Sequence, residues 1–191
     1  MDAVYRFAAP ADAAALLRVY APYIETGVTF ETEAPSLEEF TRRVEAISRD
    51  YPYIVCERGG EILGYAYAHP AFERAAYRWD AELTVYLAQA ACGERLGEAL
   101  YRRVLALLRP MNVQTAYALV TSPNPRSERL HERMGFSRAA YFPDTGYKCN
   151  RWWGVTWYEM RLGRRENPPA EVRSLRDIPA EERERLLREG E

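Results

Sequence analysis

Helices packed on a mixed β-sheet, in an α/β or α+β arrangement, are what this sequence predicts, and three observations predict it. Short runs rich in Val, Ile, Tyr and Thr alternate with segments whose apolar residues recur at helical spacing. In chain order the segments read β, α, α, β, β, β, α, β, α, β, β, a mixture that calls for a mixed sheet. The chain has 191 residues, 48% of them hydrophobic and 28% charged, enough for one core with an appendage.

The first strand is expected at 4–8, where Tyr5 and Phe7 alternate with Arg6. Pro10 and Asp12 open a helix whose Leu16, Leu17, Tyr20 and Ile24 form an inner stripe. Residues 27–35 read as a loop with an extended piece at Val28-Thr29-Phe30. Ser36 and Glu39 make a capping box for a helix to about Ser48. Strands at 51–57 and 62–69 flank the hairpin turn Gly59-Gly60. From 79 to 87 alternation puts Leu83, Val85 and Leu87 on one face and Glu82, Thr84 and Tyr86 on the other. A glycine-containing turn follows, then a helix with Leu96, Leu100, Val104 and Leu107 inward. Next come a strand at 114–121, a short helix at 124–134 closed by Gly135, and strands at 136–142 and 155–162. Residues 164–191 differ in composition. Seven Arg and eight Asp or Glu follow the pattern of an exposed linker and a charged helix near 180–188. The expected division is thus 1–163 for the domain and 164–191 for a solvated extension.

Composition excludes several classes. With 26 basic and 28 acidic residues the net charge is −2, which does not suit a phosphate backbone, so no nucleic-acid partner is expected. No apolar run approaches the ~18 residues of a membrane span, and no secretory leader is recognisable. Cys56, Cys92 and Cys149 are isolated, which fits a reducing cytoplasm rather than a disulfide scaffold. With only His69 and His131 present, no metal site is expected.

Two stretches carry chemistry. Strand, glycine turn and helix at 83–107 would leave free amides at the helix start, an anion site. No Gly-Lys-Ser/Thr follows and GxGxxG is absent, so the turn alone is commonplace. About 30 residues later comes Asn124-Pro-Arg-Ser127-Glu-Arg-Leu130-His131-Glu-Arg-Met-Gly135-Phe136. Together the two resemble the GCN5-related N-acetyltransferase (GNAT) superfamily, where the turn cradles the CoA pyrophosphate and the Asn helix lies beside the pantetheine.

The resemblance extends to the phosphinothricin acetyltransferase-like subfamily over roughly residues 4–162. It rests on Thr29-Phe30-Glu31-Thr32-Glu33, Tyr51-Pro52, Gly60-Glu61-Ile62-Leu63-Gly64-Tyr65-Ala66, Arg74-Ala-Ala76-Tyr77, Glu82-Leu-Thr-Val85-Tyr86, Leu130-His131-Glu132, Gly146-Tyr147-Lys148 and Arg151-Trp152. It implies a GNAT α/β fold with a splayed catalytic strand. It implies acetyl transfer from acetyl-CoA, without metal, to the α-amine of a small amino acid or analogue of the phosphinothricin or methionine sulfone and sulfoximine type. The rival readings are another amine, such as a polyamine or protein N-terminus, and a silent CoA-binding module. A homodimer is implied as well.

By the same resemblance Glu82 is the base and His131 a thiolate acid or second base. Val85, Tyr86 and Leu87 would meet the pantetheine. Gly93, Glu94, Arg95, Leu96, Gly97 and Glu98 would meet the pyrophosphate, with Asn124 beside them. Phe30, Arg74 and Tyr77 would meet the substrate, and Lys148 would hold an acidic one. A nucleophilic role for Cys92 is not expected. Three positions depart from the pattern: Cys92 and Arg95 in the pyrophosphate turn, and Gly154 where an Asp often follows Arg-Trp. We expect the backbone at Arg95 to need no positive φ, leaving its guanidinium to meet a CoA phosphate.

Overall fold

The computed structural model describes residues 2–190; Met1 and Glu191, the outer ends of the two expected segments, lie outside them. Seven strands form one sheet in the order β1-β2-β3-β4-β5-β7-β6. They are β1 (Val4–Phe7), β2 (Tyr53–Arg58), β3 (Glu61–Pro70), β4 (Asp80–Leu87), β5 (Thr115–Ser122), β6 (Ser137–Lys148) and β7 (Arg151–Arg161). Helices α1 (Ala13–Ile24) and α2 (Leu37–Asp50) cover one face. Helix α3 (Leu96–Leu108) and the C-terminal α5 (Ala180–Glu189) cover the other, and α4 (Pro125–Arg133) follows β5. No helix among the described residues is long and apolar enough to cross a membrane.

Local chemistry accounts for most boundaries. Ser36 Oγ accepts from Glu39 N at 3.1 Å and starts α2. Gly59 and Gly60 both take positive φ, 60° and 83°, as the tight β2–β3 hairpin requires. The stripe Leu96, Leu100, Val104 and Leu107 is buried as its spacing predicts.

Strands β4 and β5 are parallel, and they pair over only three residues: Asp80 with Thr115, Ala81 with Ala116, and Glu82 with Tyr117. Beyond Glu82 the two strands part, while β4 stays paired with β3 as far as Leu87. The cavity described below opens in that gap.

The structure corrects three expectations. Val28-Thr29-Phe30 is a turn, not an extended piece, because side chains from elsewhere fix it. Thr29 O accepts from Lys148 Nζ at 2.7 Å, and Val28 O accepts from Thr121 Oγ1 at 3.3 Å. The last two strands are longer than expected and join at Cys149-Asn150, both at positive φ (52° and 57°). Asparagine tolerates that conformation, so a two-residue hairpin turn forms without glycine.

Third, the C-terminal segment is no solvated appendage. Leu175, Ile178, Leu186 and Leu187 are buried in the same core as α3. Polar contacts stitch the linker down: Trp79 Nε1 donates to Ala170 O at 2.8 Å, Asn112 Nδ2 to Glu171 O at 2.9 Å, and Ser174 Oγ to Asp50 Oδ1 at 2.9 Å. The charges occupy the outer face of α5 while its two leucines turn inward.

Leu187→Ala is expected to destabilise the protein by about 2–5 kcal/mol, the usual cost of emptying a buried leucine site. Urea unfolding measures it. A change under ~0.5 kcal/mol would mean that α5 does not belong to the core.

Candidate active site

The gap between β4 and β5 is a cavity of about 240 Å³. Glu82, Thr84, Val85 and Tyr86 line it from β4, Ala118 to Thr121 from β5. Val28, Thr29 and Phe30 border it from the α1–α2 loop, and Asn124, Ser127 and His131 from α4.

Glu82 is the last β4 residue paired with β5, so it stands at the apex of the splay. Across the sheet its β3 partner is His69. Burial holds its carboxyl above the ordinary glutamate range, and His69 opposes that shift only partly. A carboxylate so placed is a stronger base than one in water.

His131 is 2% exposed and packed among Tyr101, Phe136 and Tyr158. Its Nδ1 lies 2.8 Å from Ser127 O. A carbonyl only accepts, so the geometry assigns the proton to Nδ1 and leaves Nε2 with a lone pair. Burial lowers the imidazole's pKa, which keeps it neutral. Nε2 faces the Tyr101 hydroxyl at 3.3 Å, and that hydroxyl also lies 3.4 Å from Leu83 O. Of the two roles expected for His131, this neutral tautomer suits a proton acceptor and does not suit an acid.

Tyr101 also borders the cavity, a place that nothing in its sequence context marks. It sits beside Leu100 and Val104 on a helix face that reads as core, and only the contact with His131 reveals it.

At the mouth, β4 leads through residues 88–95 into α3. No side chain caps this helix, and its first bond into the chain is Ala99 N to Arg95 O at 3.1 Å. The preceding amides are therefore available to an anion. Gly93 has φ +98°. Contrary to expectation, Arg95 is left-handed as well, at φ 63° and ψ 13°. The turn must reverse direction within a few residues to aim the amides outward, and position 95 takes the conformation that glycine tolerates best. Glu94 is ion-paired with Arg58 at 2.6 Å. Gly97 faces inward: a Cβ there would stand 3.6 Å from both Leu130 and Leu87.

The structure brings Glu82, Val85, Tyr86, Phe30, Asn124 and His131 together around one cavity. Leu87 and residues 93–98 continue toward the turn. Arg74 and Tyr77 stand apart on the exposed β3–β4 loop, with Tyr77 packed on Phe72. Lys148 is also not a free cation for substrate. It is buried, and its ammonium holds the phenylalanine-bearing loop through Thr29 O. The Phe30 ring lies over Gly146 so closely that a Cβ at 146 would fall 2.5 Å from it.

A family model described as an acetyltransferase (GNAT) domain matches residues 6–157. The chain belongs to the GNAT acetyltransferase family. Among GNAT relatives, the phosphinothricin N-acetyltransferase of Streptomyces coelicolor is 36% identical over 152 residues, 77% of this chain and 89% of that protein. The L-methionine sulfoximine/L-methionine sulfone acetyltransferase of Salmonella typhimurium is 29% identical over 86% of this chain and 98% of that protein. The crystal structure of a GNAT phosphinothricin acetyltransferase from Sinorhizobium meliloti in complex with AcCoA superposes with a TM-score of 0.84. It is 30% identical and covers 90% of this chain and 94% of that one.

Because a non-glycine residue in the left-handed region costs about 1 kcal/mol, Arg95→Gly is expected to raise stability by up to about 1 kcal/mol. Arg95→Ala keeps the backbone demand and is expected to change stability by less than ~0.5 kcal/mol. Urea midpoints of the two variants decide. Equal midpoints would show that the turn carries no strain at position 95.

Proposed function

We propose that this GNAT acetyltransferase moves the acetyl group of acetyl-CoA to the α-amine of a small amino acid or amino-acid analogue. The observation that carries the reading is the three-residue contact between β4 and β5, which leaves an open strand edge with a half-buried carboxylate at its apex. The names of the Streptomyces and Salmonella relatives support the substrate class.

The residues fit CoA in two places. The uncapped α3 amides and the left-handed turn at 93–98 suit a pyrophosphate. The unpaired edge of β4 from Leu83 onward offers backbone donors and acceptors to an amide-containing arm, as a sheet edge does to an added strand. Asn124 borders the same path: its Oδ1 accepts from Ser127 N at 3.3 Å, which fixes its amide at the cavity wall. When bound, acetyl-CoA supplies an activated thioester acyl group.

The chain's own residues do the rest. An alkyl ammonium has a pKa of roughly 10 and does not attack until it loses a proton. Glu82, at the apex, takes that proton onto its carboxylate, directly or through one water. A free β4 amide donates to the acyl oxygen and stabilises the charge that develops there. His131 holds the Tyr101 hydroxyl at the cavity wall, and Phe30 closes the loop side.

Two finer readings accompany this one. Tyr141, Phe142, Tyr147 and Trp152 on the β6–β7 hairpin are 48–58% exposed, an apolar face that suits a second copy of the chain. The three free thiols suit a reducing cytoplasm. Sedimentation equilibrium at micromolar concentration is expected to give a dimer; a monomer under those conditions would remove the first of the two.

Glu82→Gln is expected to lower kcat by about 10²–10⁴-fold at neutral pH, the usual size of a general-base contribution. Burial raises the Glu82 pKa, so its basic form appears only above the ordinary glutamate range. The wild-type kcat/KM should rise through an acid limb displaced upward accordingly, and the variant should lose that limb. Thiol release from acetyl-CoA, followed over pH 5–9 with amino-acid acceptors, measures both. A variant within threefold of wild type throughout would sink the assignment.

A further inference from the structure

A second cavity, of about 110 Å³, lies between α2 and the same face of the sheet as Glu82. Four tyrosines make its floor: Tyr53 on β2, Tyr65 and Tyr67 on β3, and Tyr86 on β4. Tyr20, Phe40 and Ile47 wall it from the helices, and Glu31 and Arg43 stand at its rim.

Tyr53 and Tyr65 are 2% and 1% exposed, yet the tyrosine hydroxyls that make hydrogen bonds among the described residues are those of Tyr20, Tyr23 and Tyr101, so neither of these two has a partner. A buried phenol usually finds one. Nor are these oxygens sealed in. The closed-off, unpartnered side-chain atoms among the described residues are the Nε atoms of Arg58, Arg103 and Arg183. The two phenolic oxygens therefore open onto the cavity. Burial holds both phenols well above 10, so both are neutral donors.

The cavity adjoins the acetyl-transfer site. Tyr86 lines both. Tyr67 on its floor stands directly across the sheet from Thr84 on the other's wall. Tyr20 on its wall bonds Thr29 on the other's rim at 2.9 Å. Glu82 pairs with His69, and Thr84 with Tyr67, so Tyr67 lies one strand over and two residues along from Glu82. By standard sheet spacings that is roughly 8 Å, and the Tyr53 and Tyr65 rings lie next beyond it, their centroids 4.8 and 6.3 Å from that of Tyr67.

Charge at the rim is net negative, one arginine against two glutamates. Arg43 Nη1 donates to Glu31 at 2.5 Å, and its Nη2 donates to Glu39. The one cation is engaged by two carboxylates, so an anionic side chain would find no free partner there. Aromatic walls and neutral donors suit an uncharged, polarisable group with oxygen acceptors.

We propose that this tyrosine-floored cavity receives the acceptor's side chain and selects an uncharged one ending in oxygen acceptors, with the Tyr53 and Tyr65 hydroxyls as donors. The proposal rests on the reading that the chain acetylates an amino-acid α-amine.

The test compares wild type with Tyr53→Phe and Tyr65→Phe on three acceptors: L-methionine sulfone, phosphinothricin and glycine. Neither variant loses an existing hydrogen bond, so both should unfold at the wild-type urea midpoint. For wild type the uncharged sulfone should be a better substrate than the anionic phosphinate. Each variant should raise KM for the sulfone by about tenfold, with kcat nearly unchanged and glycine within twofold. Losses shared equally by glycine, or no loss on the sulfone, would overturn the proposal, as would a preference for the phosphinate. Calorimetric titration of L-methionine sulfone into the CoA-bound protein separates this proposal from the reading beneath it. If no amino acid is acetylated, the functional reading fails; sulfone binding that weakens about tenfold in the variants would still support the cavity, and absent binding would refute it.

Discussion

Strand β4 holds β5 over three residue pairs and then lets go, and the rest of the molecule is arranged around that release. A strand interior cannot leave its backbone polar groups dry and unpaired. The parting is tolerable because the gap is a cavity open to solvent and ligand, and because β4 keeps its full pairing with β3 on the other side. Strand β5 in turn is held by eight antiparallel pairs with β7, from Thr115 to Ser122. Each parted strand thus has a complete ladder on its outer edge, and the opening does not weaken the sheet. The same geometry sets the chemistry. Glu82 is half-buried because it closes the apex, and its carboxyl is raised because it is half-buried.

Much of this was legible because it depended on local rules. The alternation at 82–87 assigned Glu82, Thr84 and Tyr86 to one face, which is how they pair across from His69, Tyr67 and Tyr65. The Gly59-Gly60 turn and the stripe of α3 followed from backbone freedom and helical spacing. What stayed hidden depended on distance along the chain. Lys148 reads as a surface cation until it meets a carbonyl 119 residues away. The turn at 149–150 carries no glycine, and Pro143, Asp144, Thr145 and Gly146 break the alternation before it, so the long hairpin did not announce itself.

The C-terminal segment failed for a different reason. Fifteen charged side chains dominate its composition, while the four residues that matter, Leu175, Ile178, Leu186 and Leu187, are spaced to face one way. Average polarity described its outer surface and missed its inner one. Arg95 shows the limit of residue identity. Arginine carries no preference for the left-handed region, so only the demand of the turn, set by what precedes and follows it, places it there.

The loop that carries Phe30 is not held by its own sequence. Its carbonyls are gripped by Lys148 from one hairpin and Thr121 from another strand, and its ring rests on a glycine of that hairpin. Loop and hairpin therefore form one module assembled from two distant stretches of gene. A recombinant that exchanges residues 26–36 with those of a relative, but keeps its own β6–β7 hairpin, inherits half a clasp. Divergence of acceptor preference in such a scaffold should then proceed by paired changes, one on each side of the clasp.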